Sequence, residues 1–212
     1  MSVLDELSSA TGDATSNDEL VKRCLVTPAF LHSISEGLRT GTPKAQEDCM
    51  LILLQVAKRR PELLFHFVGD FFDTSRGLTT KSKKLMRQAL NGVALVAGGA
   101  GSEVFAERDY LLETARGGGP RGLAAAAAIA ALCASSVNYR GKLLVHTLRL
   151  FQTARAKEIP RWAAALAPCV TGSHDGVKRY LRELDPRRAE VDAAGNKKID
   201  KVVATLEKSI RR

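Results

Sequence analysis

The groups in this chain that could do chemistry are four histidines, four cysteines and a surplus of basic side chains. His32, His66, His146 and His174 have no serine–aspartate or cysteine partner nearby in sequence, so no nucleophile with its base is spelled out. His66 and His146 fall in apolar helical patterns, where a hydrogen-bonded structural imidazole is expected. His174 follows Ser173, a helix-capping residue type, and is expected in an exposed turn. Glu47 and Asp48 are adjacent, so on a helix they point to different azimuths instead of converging as an acid–base pair. Cys24, Cys49, Cys133 and Cys169 are widely spaced and form no C-x-x-C pair. Each lies in an apolar run, where a free thiol behaves as a small hydrophobe, and four reduced, buried thiols are expected. A zinc site or a disulfide framework is the alternative. No catalytic residue, metal or cofactor is expected, and the chain does not read as an enzyme.

Two glycine-rich stretches, Gly98-Gly99-Ala100-Gly101-Ser102 and Gly117-Gly118-Gly119-Pro120-Arg121-Gly122, precede helical patterns, where free N–H groups attract anions. Neither carries the G-K-[ST] of a nucleotide loop and neither follows a strand pattern, so turns between helices are expected.

Charge carries more information. The net +9 is unevenly distributed, with 7 basic and 11 acidic side chains in residues 1–73. No acid occurs from Thr74 to Ser102, nor again from Thr114 to Lys157, where Arg116, Arg121, Arg140, Lys142, Arg149, Arg155 and Lys157 accumulate. Such an asymmetry attracts an acidic partner, whether protein, nucleic acid or anionic lipid.

The elements that must position these groups are helices. Ala45, Cys49, Ile52, Leu53 and Val56 keep one apolar face, followed after Pro61 by Leu64, Phe67, Val68 and Phe71. The pattern returns with Leu85, Ala89, Leu90, Val93 and Val96. Ser102 then caps a weaker helix bearing Val104, Phe105, Leu111 and Leu112, interrupted by Glu107, Arg108 and Asp109. A third unit pairs the alanine-rich Leu123–Ala134 with Leu143, Leu144, Leu148 and Phe151. A fourth pairs Trp162–Val170, shortened or kinked by Pro168, with Val177, Tyr180, Leu181 and Leu184. The pattern lapses after Pro186 and resumes in a charged terminal helix, residues 196–211. Residues 1–16, rich in Ser, Thr, Gly and Asp, are expected to be a disordered lead-in, and 17–212 a single helical-repeat domain.

Paired helices returning at a period of about 38 residues, with Pro43, Pro120 and Pro160 near repeat starts, resemble the HEAT and armadillo class. The resemblance implies an all-α fold, an α-α superhelix of about ten to eleven helices with the terminal helix as its cap. It further implies a binding scaffold without enzymatic activity, most simply for another protein. Some HEAT-like proteins, alkylpurine DNA glycosylases among them, hold DNA on a basic concave surface. A nucleic-acid-binding module, of the DNA-repair glycosylase type, is therefore the alternative. In stacked repeats, equivalent positions align, so Lys81, Lys83, Lys84, Arg87, Arg121, Arg149, Arg155 and Arg161 are expected to form a basic ridge along one edge.

No run reaches the roughly 18 uncharged apolar residues of a membrane span, Leu123–Val137 coming nearest. The first ten residues, with Asp5 and Glu6, do not read as a secretory signal. An intracellular setting is expected, in the cytoplasm or alternatively the nucleus.

Overall fold

The computed structural model describes residues 2–211. Among the described residues the chain is all-helical, with no strand, thirteen α-helices and five short 3-10 turns. It divides into two compact units, residues 1–103 and 104–212, where the repeat pattern alone suggests one continuous array.

In the first unit, α1 (Ser8–Thr11), α2 (Ser16–Val26), α3 (Phe30–Thr40), α4 (Pro43–Arg59), α5 (Val68–Arg76) and α6 (Lys83–Val96) follow in order. α4 packs against α2, α3 and α6, and α5 packs on α6. The reason is compositional: Cys49, Met50, Ile52, Leu53 and Val56 of α4 are buried, while Leu51 on the same helix is 41% exposed. Thr42 begins the helix by accepting a hydrogen bond from the Ala45 amide, and Pro43 occupies the first turn, where a missing N–H costs nothing. Pro61 opens a 3-10 turn, Pro61–Phe67, before α5 proper begins. The segment expected as a loose lead-in carries a 3-10 turn, Val3–Glu6, and α1, with Leu7 fully buried. Asp48 ties it to α4 by accepting hydrogen bonds from the Ser9 amide and the Asn17 side chain, both at 2.7 Å.

A short helix, α7 (Gly101–Ala106), spans the unit boundary. The second unit contains α8 (Arg108–Arg116), α9 (Gly119–Ser135), α10 (Val137–Arg149), α11 (Ile159–Leu166), α12 (His174–Arg188) and α13 (Ala193–Ile210). α9 is its axis: α8, α10, α11 and the 3-10 turn Ala167–Val170 all pack against it. Ala124, Ala125, Ala126, Ala128 and Ala130 are buried together with Ile129, Leu132 and Cys133. Side chains this small let several helices approach one neighbour at the short end of the usual 8–10 Å separation. Gly118 and Gly119, both at positive φ (66° and 64°), make the turn into α9 that residues with a Cβ rarely adopt.

Two local expectations are corrected. The helix expected to be capped by Ser102 is two helices, α7 and α8, broken at Glu107. Ser102 lies inside α7 and donates to the Glu103 carboxylate instead of capping. α12 runs through Pro186 and ends at Arg188, close to where the apolar pattern lapses. The count of thirteen exceeds the ten to eleven expected, through α1 and the α7–α8 break. Pro168 does shorten its helix: α11 stops at Leu166 and continues as a 3-10 turn.

A candidate anion-binding groove between α8 and α10

The charge divides with the units. Residues 1–103 hold 12 basic and 12 acidic side chains, whereas residues 104–212 hold 20 basic and 11 acidic, so the second unit carries the entire net +9. Part of that surplus converges in one place.

α8 and α10 lie against α9, and between them runs a groove made of two adjoining hollows of about 290 and 370 Å³. Arg116 and His146 line both hollows. Arg149, Leu150 and Thr153 complete the first; Phe105, Arg108, Asp109, Leu112, Lys142 and Leu143 complete the second. The sequence explains the convergence. Arg108, Leu112 and Arg116 recur every four residues on α8, and Lys142, His146 and Arg149 recur at four and three on α10, so each set shares one helix face. At 1.5 Å per residue, the two rows run for about 12 Å and about 10 Å.

Phe105 organises the α10 N-terminal end of the groove. Its ring stacks on Tyr139 at 5.2 Å, while the Arg108 guanidinium and the Lys142 ammonium lie 4.8 and 5.1 Å from its centroid. Each cation–ring contact is worth roughly 0.5–1 kcal/mol at such partly exposed sites, enough to bias long side chains towards one placement. Arg108 also donates to the Phe105 carbonyl oxygen at 3.2 Å and stands 3.5 Å from the Asp109 carboxylate. Arg116 and Arg149 are exposed, and among the described residues neither is paired with a carboxylate. Leu112, Leu143 and Leu150 form a buried floor. The groove is thus an apolar base flanked by cations, two of them held on an aromatic ring and two without a counter-charge.

The eight residues expected to form a ridge are dispersed. Lys81, Lys83, Lys84 and Arg87 are exposed around the start of α6 in the first unit, where Lys84 is already paired with Glu47 at 2.8 Å. In the second unit Arg149 alone lines the groove. Arg121 lies in the first turn of α9, donating to the Tyr110 hydroxyl at 3.1 Å. Arg161 borders a separate hollow with Lys157 and Lys198, opposed there by Glu190 and Asp192. Arg155 is exposed on the turn before α11. The groove residues Arg108, Arg116 and Lys142 were not among the eight. Their helix-face spacing, and for Arg116 and Lys142 the acid-free run from 114 to 157, was the available signal.

The thiols and the other three histidines lie outside the groove lining. All four thiols are buried, and burial pushes Cys24 and Cys133 up to about 11 and Cys49 up to about 12, with Cys169 raised as well. A thiol held protonated is a packing group, not a nucleophile. His66 and His146 are exposed, contrary to the structural role expected for them, and His146 faces the groove. Ser173 does cap α12, accepting from the Gly176 amide at 3.1 Å, with His174 exposed beside it. No group of three or more His, Cys, Asp or Glu among the described residues is arranged to hold a metal ion. No helix among them is long and apolar enough to cross a membrane. No family model matches the chain, and neither a curated protein nor a solved structure matches it.

Proposed function

We propose that this chain is a non-enzymatic helical module that works by binding an anionic macromolecule in the α8–α10 groove. The observation that carries this reading is the pair Arg116 and Arg149: two exposed guanidiniums bordering one hollow without a carboxylate to neutralise them. Like charges held close repel, so an anion that enters relieves the repulsion as well as making new contacts. The sequence expectation of a HEAT- or armadillo-type scaffold belongs to the same reading. It is supported by neighbouring helices that pack in succession within each unit, α3 with α4, α5 with α6, and α8, α10 and α11 around α9. The burial of all four thiols favours a binding role over cysteine chemistry.

Val145, 45% exposed on α10 between Lys142 and Arg149, offers a position for a test. With a photo-crosslinking residue there, irradiation in the source cell should give a discrete adduct heavier than the chain. The adduct should vanish when Arg116→Glu and Arg149→Glu are combined. A pattern without adducts, or one indifferent to the two arginines, would sink the reading.

A further inference from the structure

The shape and chemistry of the groove say more about what enters it. We infer that the α8–α10 groove holds the phosphodiester backbone of a nucleic acid strand, over about three nucleotides, without reading its bases. The inference rests on the proposed binding role of the same groove and narrows it to one class of partner.

Three features carry it. The first is the kind of cation. Arg116 and Arg149 present guanidinium forks without a carboxylate partner, which meet the oxygens of a phosphate with two parallel hydrogen bonds, and Arg108 and Lys142, held on the Phe105 ring, add positive charge. The second is spacing. The rows extend for about 12 and about 10 Å, and a stacked strand advances about 3.4 Å per nucleotide, so each row spans about three phosphates. The third is what the groove withholds. Phe105, the aromatic ring lining it, is already engaged by Tyr139, Arg108 and Lys142, which leaves it no platform for a base. Leu112, Leu143 and Leu150 are no more than 6% exposed, so the groove has no open apolar socket of the kind that anchors a peptide partner. A concave channel between two helices also admits a strand more readily than a flat lipid surface. What is left is charge laid out along a line, the arrangement that binds nucleic acid backbone irrespective of sequence.

The full chain can be titrated against fluorescein-labelled 20-nucleotide DNA, single-stranded and duplex, by fluorescence anisotropy between 25 and 200 mM NaCl. Three neutralised phosphates predict a slope of log K against log salt of about −2 for the single strand and about −3 for the duplex. Homopolymeric and mixed sequences should bind within a few-fold of one another. Combining Arg116→Gln with Arg149→Gln should weaken binding at least tenfold with the helical circular dichroism unchanged. Lys83→Gln with Lys84→Gln in α6 should change it less than threefold.

Parallel titrations use polyglutamate of 20 residues and vesicles containing phosphatidylserine. If either binds through Arg116 and Arg149 while DNA does not, the nucleic-acid inference is overturned and the anionic-partner reading stands. If DNA, polyglutamate and vesicles all fail to bind at 25 mM salt, both fall. DNA binding that survives the double glutamine variant unweakened overturns the inference as well, because the strand then lies elsewhere. An RNA 20-mer of the same sequence serves as a further probe and should bind comparably, since the phosphodiester is the recognised group.

Discussion

Three ring carbons of Phe71 stand 2.8–2.9 Å from the point where a Cβ on Gly92 would lie, and both residues are buried where α5 meets α6. Gly92→Ala would gain about 1 kcal/mol of helix propensity, but an overpacked core typically costs about 1–3 kcal/mol. Overpacking wins because the fully buried Phe71 ring has nowhere to retreat. The variant should be less stable by up to about 2 kcal/mol in urea titration. Gly141→Ala provides the opposite sign. Gly141 lies exposed within α10 with nothing within 4 Å of its missing Cβ, so the same substitution should stabilise by roughly 0.5–1 kcal/mol.

The buried thiols set an alkaline limit. Their ordinary value of 9.0 is raised to about 11 for Cys24 and Cys133 and about 12 for Cys49, with desolvation the largest cause. Between these values the unfolded chain has lost protons that the folded chain retains. Stability is therefore fully present below about pH 9 and is lost as the pH rises towards 11 and 12. Urea midpoints at pH 7.5, 9 and 10.5 should fall in that order. At pH 8 the native protein should react with Ellman's reagent far more slowly than the protein in 6 M guanidinium chloride; equal rates would contradict the burial of the thiols.

Asp48 should hold the N-terminal segment in place. Its carboxylate accepts from the Ser9 amide and the Asn17 side chain, and hydrogen bonds to a charged group contribute about 1.5–3 kcal/mol. In Asp48→Ala, amides of residues 3–11 should exchange with deuterium markedly faster, while those of α4 and α6 keep their protection. Uniformly fast exchange over 3–11 in the unmodified chain would show that the tether does not hold.

Tyr180 separates hydrogen bonding from packing in the second unit. It is fully buried, its hydroxyl donates to the Ala163 carbonyl at 2.7 Å, and its ring meets Phe151 edge-on at 5.2 Å. Tyr180→Phe retains the ring and should cost about 1 kcal/mol. Tyr180→Ala also leaves a cavity and should cost about 3–5 kcal/mol. Similar losses in thermal denaturation for the two variants would mean that the ring contributes little.

Helix positions were legible in the sequence wherever an apolar stripe was strong. α4 and α6 lie where Ala45–Val56 and Leu85–Val96 place them, and Pro168 ends α11 as a proline ahead of a turn should. Legibility failed where side chains outside the helix decide the outcome. The end of α12 is held by Arg187, which donates to the carbonyls of Phe151 and Ala154, more than thirty residues earlier; nothing around Pro186 announces this. The groove was hidden for a related reason. Arg108 interrupts an apolar stripe and so reads as weakening a helix, and its partner across the groove, Lys142, is 34 residues away. Aligning basic residues at repeat starts selects positions one repeat apart, whereas the groove draws on the middles and ends of two helices that share a neighbour.

That neighbour, α9, inverts the usual relation between chemical character and tolerance of change. Its alanines bear no charge, donate no side-chain hydrogen bond and touch no partner molecule in the proposed role, yet they set the distance at which α8 and α10 stand. A methyl group added at Ala125, Ala126 or Ala128, each fully buried, would push several neighbours apart together. The groove's arginines can be exchanged one at a time at the surface, but its width is written into residues that never meet the ligand. Inheritance of binding in this chain would therefore be policed most strictly at its plainest side chains.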